Sequence, residues 1–177
     1  DSLRDVFAQR ILQVDKERLY FFHDQIQAAA SNLLSDEQRR QRNHTIAKTY
    51  IDRHTKTTDS SAGMPIPNTE LFSIVEHLAA GRVAETTDEE RLEEAKFNYK
   101  AGLAAMESLA LDASNYYFLQ SVELCSDKNW VSDYEFMFSL HKNLAHAALI
   151  NGDQNRANEI VEESLKFVDS DLDIAEF

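Results

Sequence analysis

A chain of 177 residues, 43% hydrophobic and 28% charged, has the length to bury a core of its own, as one domain or one compact helical array. Its net charge of −13 repels phosphate backbones and anionic lipid, which argues against nucleic acid and membrane surfaces as partners. A single cysteine, Cys125, excludes an internal disulfide framework and suits a reducing compartment, and four Gly and two Pro among many Ala, Leu, Glu and Gln favour helix over sheet.

An all-α chain of about 7 to 9 helices is therefore expected, built from antiparallel pairs. No stretch approaches the roughly 20 apolar residues of a membrane span, and the opening residues lack a signal peptide's apolar core, so the expected location is cytoplasmic. The first residue is Asp1, not Met, and the chain reads as a piece of something larger. Charge is uneven: residues 1–56 hold 10 Lys and Arg against 8 Asp and Glu, whereas residues 57–177 hold 8 against 23. The basic run Arg39-Arg40-Gln41-Arg42 lacks interleaved aromatics and reads as a solvated helix face, while the acidic remainder favours a basic protein partner. Asn43-His44-Thr45 fits the glycosylation triplet but lies in a charged, helix-like stretch.

In chain order, a short helix is expected near Ser2 to Leu12, and Tyr20-Phe21-Phe22 lead into a helix with Ile26, Ala29, Ala30, Leu33 and Leu34 on its apolar side. Ser35 with Gln38 forms the pattern of a capping box, in which a hydroxyl and the third side chain satisfy free amides reciprocally, ahead of an amphipathic helix with Ile46, Ala47, Tyr50 and Ile51. The segment Thr55 to Asn68 holds both prolines and no periodicity, and reads as a loop; the helix after it closes on Gly81 as its cap. Thr87 with Glu90 opens a helix carrying Leu92, Ala95, Tyr99, Leu103, Met106 and Ala110, and Asp112 caps its partner with Ala113, Tyr117, Gln120 and Leu124. Cys125 reads as a buried helix residue. Ser132 with Glu135 then opens a helix with Tyr134, Met137, Phe138, Leu144, Ala145 and Ala148, the turn Asn151-Gly152-Asp153 follows, and Ala157, Ile160, Val161, Leu165 and Val168 mark the last helix.

Small residues at helix contacts give these hairpins the look of tetratricopeptide (TPR) repeats. A shift of 44 carries Ala145, Ala148, Ala157 and Val161 onto Ala101, Ala104, Ala113 and Tyr117, a degenerate repeat longer than a TPR unit. The organisation expected is N-terminal helices over 1–54, a flexible loop over 55–68, and TPR-like hairpins in a right-handed array over 69–177.

Little chemistry is legible. There is no phosphate-cradling Gly-rich loop and no Gly-x-Ser-x-Gly elbow, and Cys125 has no neighbouring base in sequence. His141 and His146 are five apart and diverge by about 140° on a helix, which does not make a metal site. His23-Asp24 matches a phosphohydrolase dyad without its further ligands, and reads better as a pair at a helix start. His146 sits on a helix like those of phosphotransfer proteins, but the position three residues on, where such helices place a Lys, holds Leu149. No catalytic, cofactor-binding or metal-binding residue is assigned; His146 is kept only as a phosphoacceptor alternative.

The blocks Tyr20-Phe21-Phe22-His23-Asp24-Gln25-Ile26-Gln27-Ala28-Ala29-Ala30 and Leu71-Phe72-Ser73-Ile74-Val75-Glu76-His77-Leu78 occur in a recognisable order with Tyr117 to Leu124, Trp130, Asp133-Tyr134-Glu135, Leu140, Ala145 and Asn151-Gly152-Asp153 through Ala157. Together they resemble the helical, TPR-like region that follows the AAA/STAND-type ATPase in multi-domain hybrid sensor histidine kinases with an N-terminal Ser/Thr-kinase-like domain. The chain departs from that pattern at Ala30-Ser31, where an aromatic is usual, and in its long Pro-bearing insert, a eukaryotic, fungal-type trait. The resemblance implies a non-catalytic scaffold that couples ATPase and kinase-like domains to sensor and kinase domains. ATP and Mg belong to the parent chain, no cofactor belongs to this segment, and neighbouring domains are its partners. The face residues expected to bind protein are Tyr99, Tyr116, Asn143 and Asn151. A free-standing peptide-binding adaptor and a histidine phosphotransfer protein are the alternatives.

Overall fold

The computed structural model describes residues 12–15, 18–21, 26, 29, 33–56, 66–83, 85–168 and 170–176. Among these, eight helices follow one small antiparallel hairpin, β1 (Leu12–Asp15) with β2 (Arg18–Phe21), in which Leu12 pairs with Phe21 and Asp15 with Arg18. Beyond that hairpin the elements of the described residues are all helices, as the composition favours. The helix expected over Ser2 to Leu12 lies outside the described residues except at Leu12, which instead opens β1; runs of four residues are too short for periodicity to separate strand from helix.

The first pair is α1 (Asp36–Lys56) and α2 (Asn68–Gly81). The Ser35 capping box is formed: the Ser35 amide donates to Gln38 Oε1 at 2.9 Å and the Gln38 amide to Ser35 Oγ at 3.2 Å. At one end of the pair His54 Nε2 meets Glu70 Oε2 at 2.7 Å, and further along His77 Nδ1 meets Asn43 Oδ1 at 2.9 Å, which fixes the antiparallel register. Gly81 is not the cap: it is the last residue of α2, and Arg82 caps the helix in extended conformation. A Cβ at Gly81 would lie 2.7 Å from the His44 backbone nitrogen, so the glycine serves close approach of α2 to α1. Both ends of the expected loop are helical, since α1 runs through Lys56 and α2 begins at Asn68; residues 57–65 lie outside the described residues.

Two hairpins follow. The first is α3 (Asp88–Glu107) with α4 (Leu111–Leu124); after the short α5 (Asp127–Ser132) comes α6 (Tyr134–Ile150) with α7 (Gln154–Ser164), and α8 (Asp171–Glu176) ends the described chain. Pair packs on pair in sequence order, α2 against α3 and α4 against α6. One core, with Leu71, Ile74, Val75, Phe97 and Ala101, joins the first pair to α3; a second, with Phe118, Leu140, Leu144, Ala148 and Ile160, joins the two hairpins. Thr87 and Glu90 make the expected capping box at 3.0 and 3.2 Å.

Ser132 caps nothing. It is the last residue of α5, and Asp133 both ends α5 and precedes α6, with its carboxylate held by Lys96. The expected Ser132–Glu135 capping box is not formed; the side chain that reaches back to a helix start here is Asn129, which accepts from the Ser126 amide at 2.8 Å ahead of α5. Nor does Asp112 cap α4, which starts at Leu111 after Ala110. Ala110, expected within α3, lies beyond it, and Leu165 and Val168 lie beyond α7. Cys125 is the residue after α4, not a member of it.

The displacement of Ala110 and Asp112 follows from the turn at Leu109, the non-glycine residue with positive φ (58°) among those described. There the Ala110 amide donates to the Ala105 carbonyl and the Leu109 amide to the Met106 carbonyl, each at 2.9 Å, a Schellman ending. The second hairpin turns the same way: Gly152 has φ 80°, the Asp153 amide donates to Ala148 at 2.9 Å and the Gly152 amide to Leu149 at 3.0 Å. Gly152 lies 43 positions after Leu109, so the repeat is 43 and not 44 residues. In this register buried residues fall on buried residues at many positions, among them Phe97 with Leu140, Ala101 with Leu144, Gly102 with Ala145, Ala105 with Ala148, Ser114 with Ala157, and Ser121 with Ser164. A register one residue off still laid alanine on alanine, because three of its four matches used the commonest helix residue.

Candidate interaction face and groove

Tyr99 and Asn143 are brought together. Asn143 Nδ2 donates to the Tyr99 hydroxyl at 3.1 Å, and the Tyr99 ring lies 5.8 Å from that of Phe118 and edge-on to Phe136 at 5.6 Å. Both residues thus belong to the joint between the hairpins, and burial raises the Tyr99 pKa above its ordinary value. Tyr116 and Asn151 are exposed. Tyr116 sits on α4 edge-on to Tyr117, whereas Asn151 ends α6 with its amide 3.5 Å from the Leu111 carbonyl, on the side where the two hairpins turn.

His146 is also exposed and lies in a groove of about 640 Å³ between α6 and α7, with Lys142, Leu149, Ala157, Val161 and Glu162. His141 points elsewhere, as the five-residue spacing required. Its Nδ1 meets the Met137 carbonyl at 2.8 Å and its ring lies 4.9 Å from Trp130, which stacks in turn on Phe167 at 5.2 Å. Burial lowers the His141 pKa by penalising the charged ring. Cys125 lines a separate pocket with Trp130, His141 and Phe167; burial pushes its thiol up to about 11, the opposite of what a nucleophilic thiolate needs. No group of three His, Cys, Asp or Glu among the described residues could hold a metal ion. His23 and Asp24 lie outside the described residues.

Sequence reading missed the Arg82–Glu94 clamp. Glu94 is buried on α3, and Arg82 reaches it with two nitrogens, Nε at 3.2 Å from Oε2 and Nη2 on Oε1, tying the first pair to α3. The hydrogen bond to Glu94 raises the Arg82 pKa. No local spacing announces a pair 12 residues apart across a helix boundary. The basic run proved to be surface: Arg39 pairs with Asp36 at 2.6 Å and Arg40 with Glu37 at 3.0 Å, each within the first turns of α1.

The chain is similar to a hybrid histidine kinase. It is 25% identical over 182 residues to the protein named hybrid signal transduction histidine kinase G of Dictyostelium discoideum. The similarity covers 94% of this chain and 5% of that protein, so the chain spans about a twentieth of its relative's length. No family model matches the sequence, and no solved structure matches it. No helix among the described residues is long and apolar enough to cross a membrane.

Proposed function

We propose that this chain is a non-catalytic, TPR-like helical scaffold within a cytoplasmic multi-domain hybrid sensor histidine kinase, coupling an upstream AAA/STAND-type ATPase and Ser/Thr-kinase-like domain to downstream sensor and kinase domains. The observation that carries this reading is the similarity along 94% of the chain to a stretch of a hybrid signal transduction histidine kinase. The fold supports it physically. Each pair is joined to the next by packed side chains, Arg82 on Glu94 and Asn143 on Tyr99, so a displacement at one end moves neighbouring pairs as rigid bodies. ATP and Mg would act in the parent's catalytic domains. Tyr116 and Asn151 are the exposed residues offered to a neighbouring domain or a basic protein partner.

Sequencing the gene on both sides tests the assignment: a Walker A motif upstream and a histidine-kinase block downstream are expected, and the absence of both overturns it. Coupling is tested in the parent kinase by inserting a flexible Gly/Ser linker at Glu85, between the first pair and α3. Signal-dependent autophosphorylation should be lost while basal autophosphorylation persists; an unchanged response would reduce the segment to a tether.

A further inference from the structure

The face by which α3–α4 receive the next hairpin is present again on α6–α7, and there the described chain leaves it open. In the first hairpin that face carries Leu103 and Met106 on α3 and Leu119 and Val122 on α4, all partly buried against the core shared with α6. Forty-three residues on, the same positions are His146, Leu149, Glu162 and Leu165, all exposed, with Leu149 at 45% and Leu165 at 39%. Between them runs the groove of about 640 Å³. One equivalent pair keeps its residue type: Asn115 is half-buried, and Asn158 is exposed.

The path of the chain is similar too, with one residue more before the short helix in the 43-residue register. After α4 come Ser126 and α5, which precede the hairpin that covers the face. After α7 come Ser170 and α8, with Ser170 Oγ 3.5 Å from the Asp173 amide, and Tyr134 holds α8 in place through Asp173 at 2.8 Å. The covering element in the first case is a helix presenting Phe136, Leu140, Asn143 and Ala147 at four- and three-residue steps. The open face differs in chemistry, since His146 and Glu162 stand where the first has two leucines. Its complement is an amphipathic helix with an apolar ridge flanked by polar side chains.

We infer that the α6–α7 groove is the seat of a further helix pair of the same polypeptide, docked as α6–α7 dock on α3–α4. This deepens the scaffold reading, and rests on it only in taking the chain as part of a longer one. The occupant follows from continuity with the interface already built between the two hairpins: the same backbone surface, one repeat later, takes the same kind of cover.

The test compares the 177-residue chain with the natural polypeptide extended downstream by on the order of 45 residues, one repeat. On a Cys125→Ser background, Asn158→Cys reports the groove, Asn115→Cys the covered equivalent and Asn155→Cys the outer surface, each read by the rate of maleimide labelling. In the short chain Asn158→Cys should label fast. In the extended chain its rate should fall by on the order of tenfold or more, to that of Asn115→Cys, with Asn155→Cys unchanged. Circular dichroism of each variant confirms the fold, and His146→Cys supplies a second groove position should Asn158→Cys unfold. Equal rates in both chains overturn the inference, as does a reading frame closing at Phe177. Slowing that depends on concentration, with a dimeric mass, would make a second copy the occupant and also overturns it. Groove protection in a gene without kinase motifs would leave this inference standing and remove the scaffold assignment; the reverse outcome would do the opposite.

Discussion

Hairpins α3–α4 and α6–α7 share one backbone plan in a 43-residue register, yet they fill it differently: Gly102 and Phe118 in the first stand where the second has Ala145 and Val161. The Phe118 ring lies so close to α3 that a Cβ on Gly102 would sit 2.5 Å from it, and Phe118 has no exposed surface. Volume removed from one helix is returned by the other. What repeats is therefore the turn geometry and the pattern of burial, while side chains are exchanged in compensating sets.

The largest way to break this comparison is to empty one hairpin. Phe118→Ala should destabilise by about 4 kcal/mol through the cavity it leaves, while Val161→Ala, beside open solvent, should cost about 1 kcal/mol, measured by urea unfolding. Equal losses would show that the second hairpin's face is as enclosed as the first's. Next in size, Gly102→Ala should cost about 2 kcal/mol by driving a methyl group into the Phe118 ring. The double change Gly102→Ala with Phe118→Val, which imports the second hairpin's pair, should recover part of that loss; a purely additive cycle would sink the idea of a compensating set.

The turns offer a smaller, reciprocal exchange. Leu109→Gly should stabilise by about 1 kcal/mol by removing a side chain from the left-handed region, and Gly152→Ala should destabilise by a similar amount, visible as opposite shifts in Tm. The subtlest expectation concerns pH. In the repeat register His141 replaces Asn98, and both bond the carbonyl four residues back, Asn98 to Glu94 at 3.0 Å and His141 to Met137 at 2.8 Å. Burial holds the folded His141 pKa below its unfolded value, so the unfolded chain takes up the proton first. The stability contributed by neutral His141 is full above about pH 6.5 and is lost as pH falls toward the lower, folded value. His141→Asn should flatten that part of the acid limb in denaturant titrations from pH 7 to 5; an unaltered slope would mean the ring is hydrated in the native state.

Much of the helical plan is legible in the sequence, because caps and apolar stripes act locally. Ser35 with Gln38, Thr87 with Glu90 and the turn at Asn151-Gly152-Asp153 are all in place. The turn at Leu109 is not legible, since a leucine in left-handed conformation carries no signal of its own, and missing it displaced both the start of α4 and the repeat register. Of the expected face residues, Tyr99 and Asn143 form a contact across 44 residues that no periodicity within one helix could reveal, while the groove at His146 arises from the packing of α6 on α7 and leaves no local pattern. The Ser132 pattern shows a further limit: the same few polar residues start one helix and finish another.

The chain holds a single tryptophan, and its position makes it a reporter of one end of the stack. Trp130 is wedged between His141 and Phe167, with Met137 and Val168 in the same small core, far along the chain from α1 and α2. Stacked pairs need not come apart together. Fluorescence of Trp130 follows only the downstream joint, whereas far-ultraviolet ellipticity follows every helix, so an array that unravels from one end will give two melting curves from one sample without any label being added.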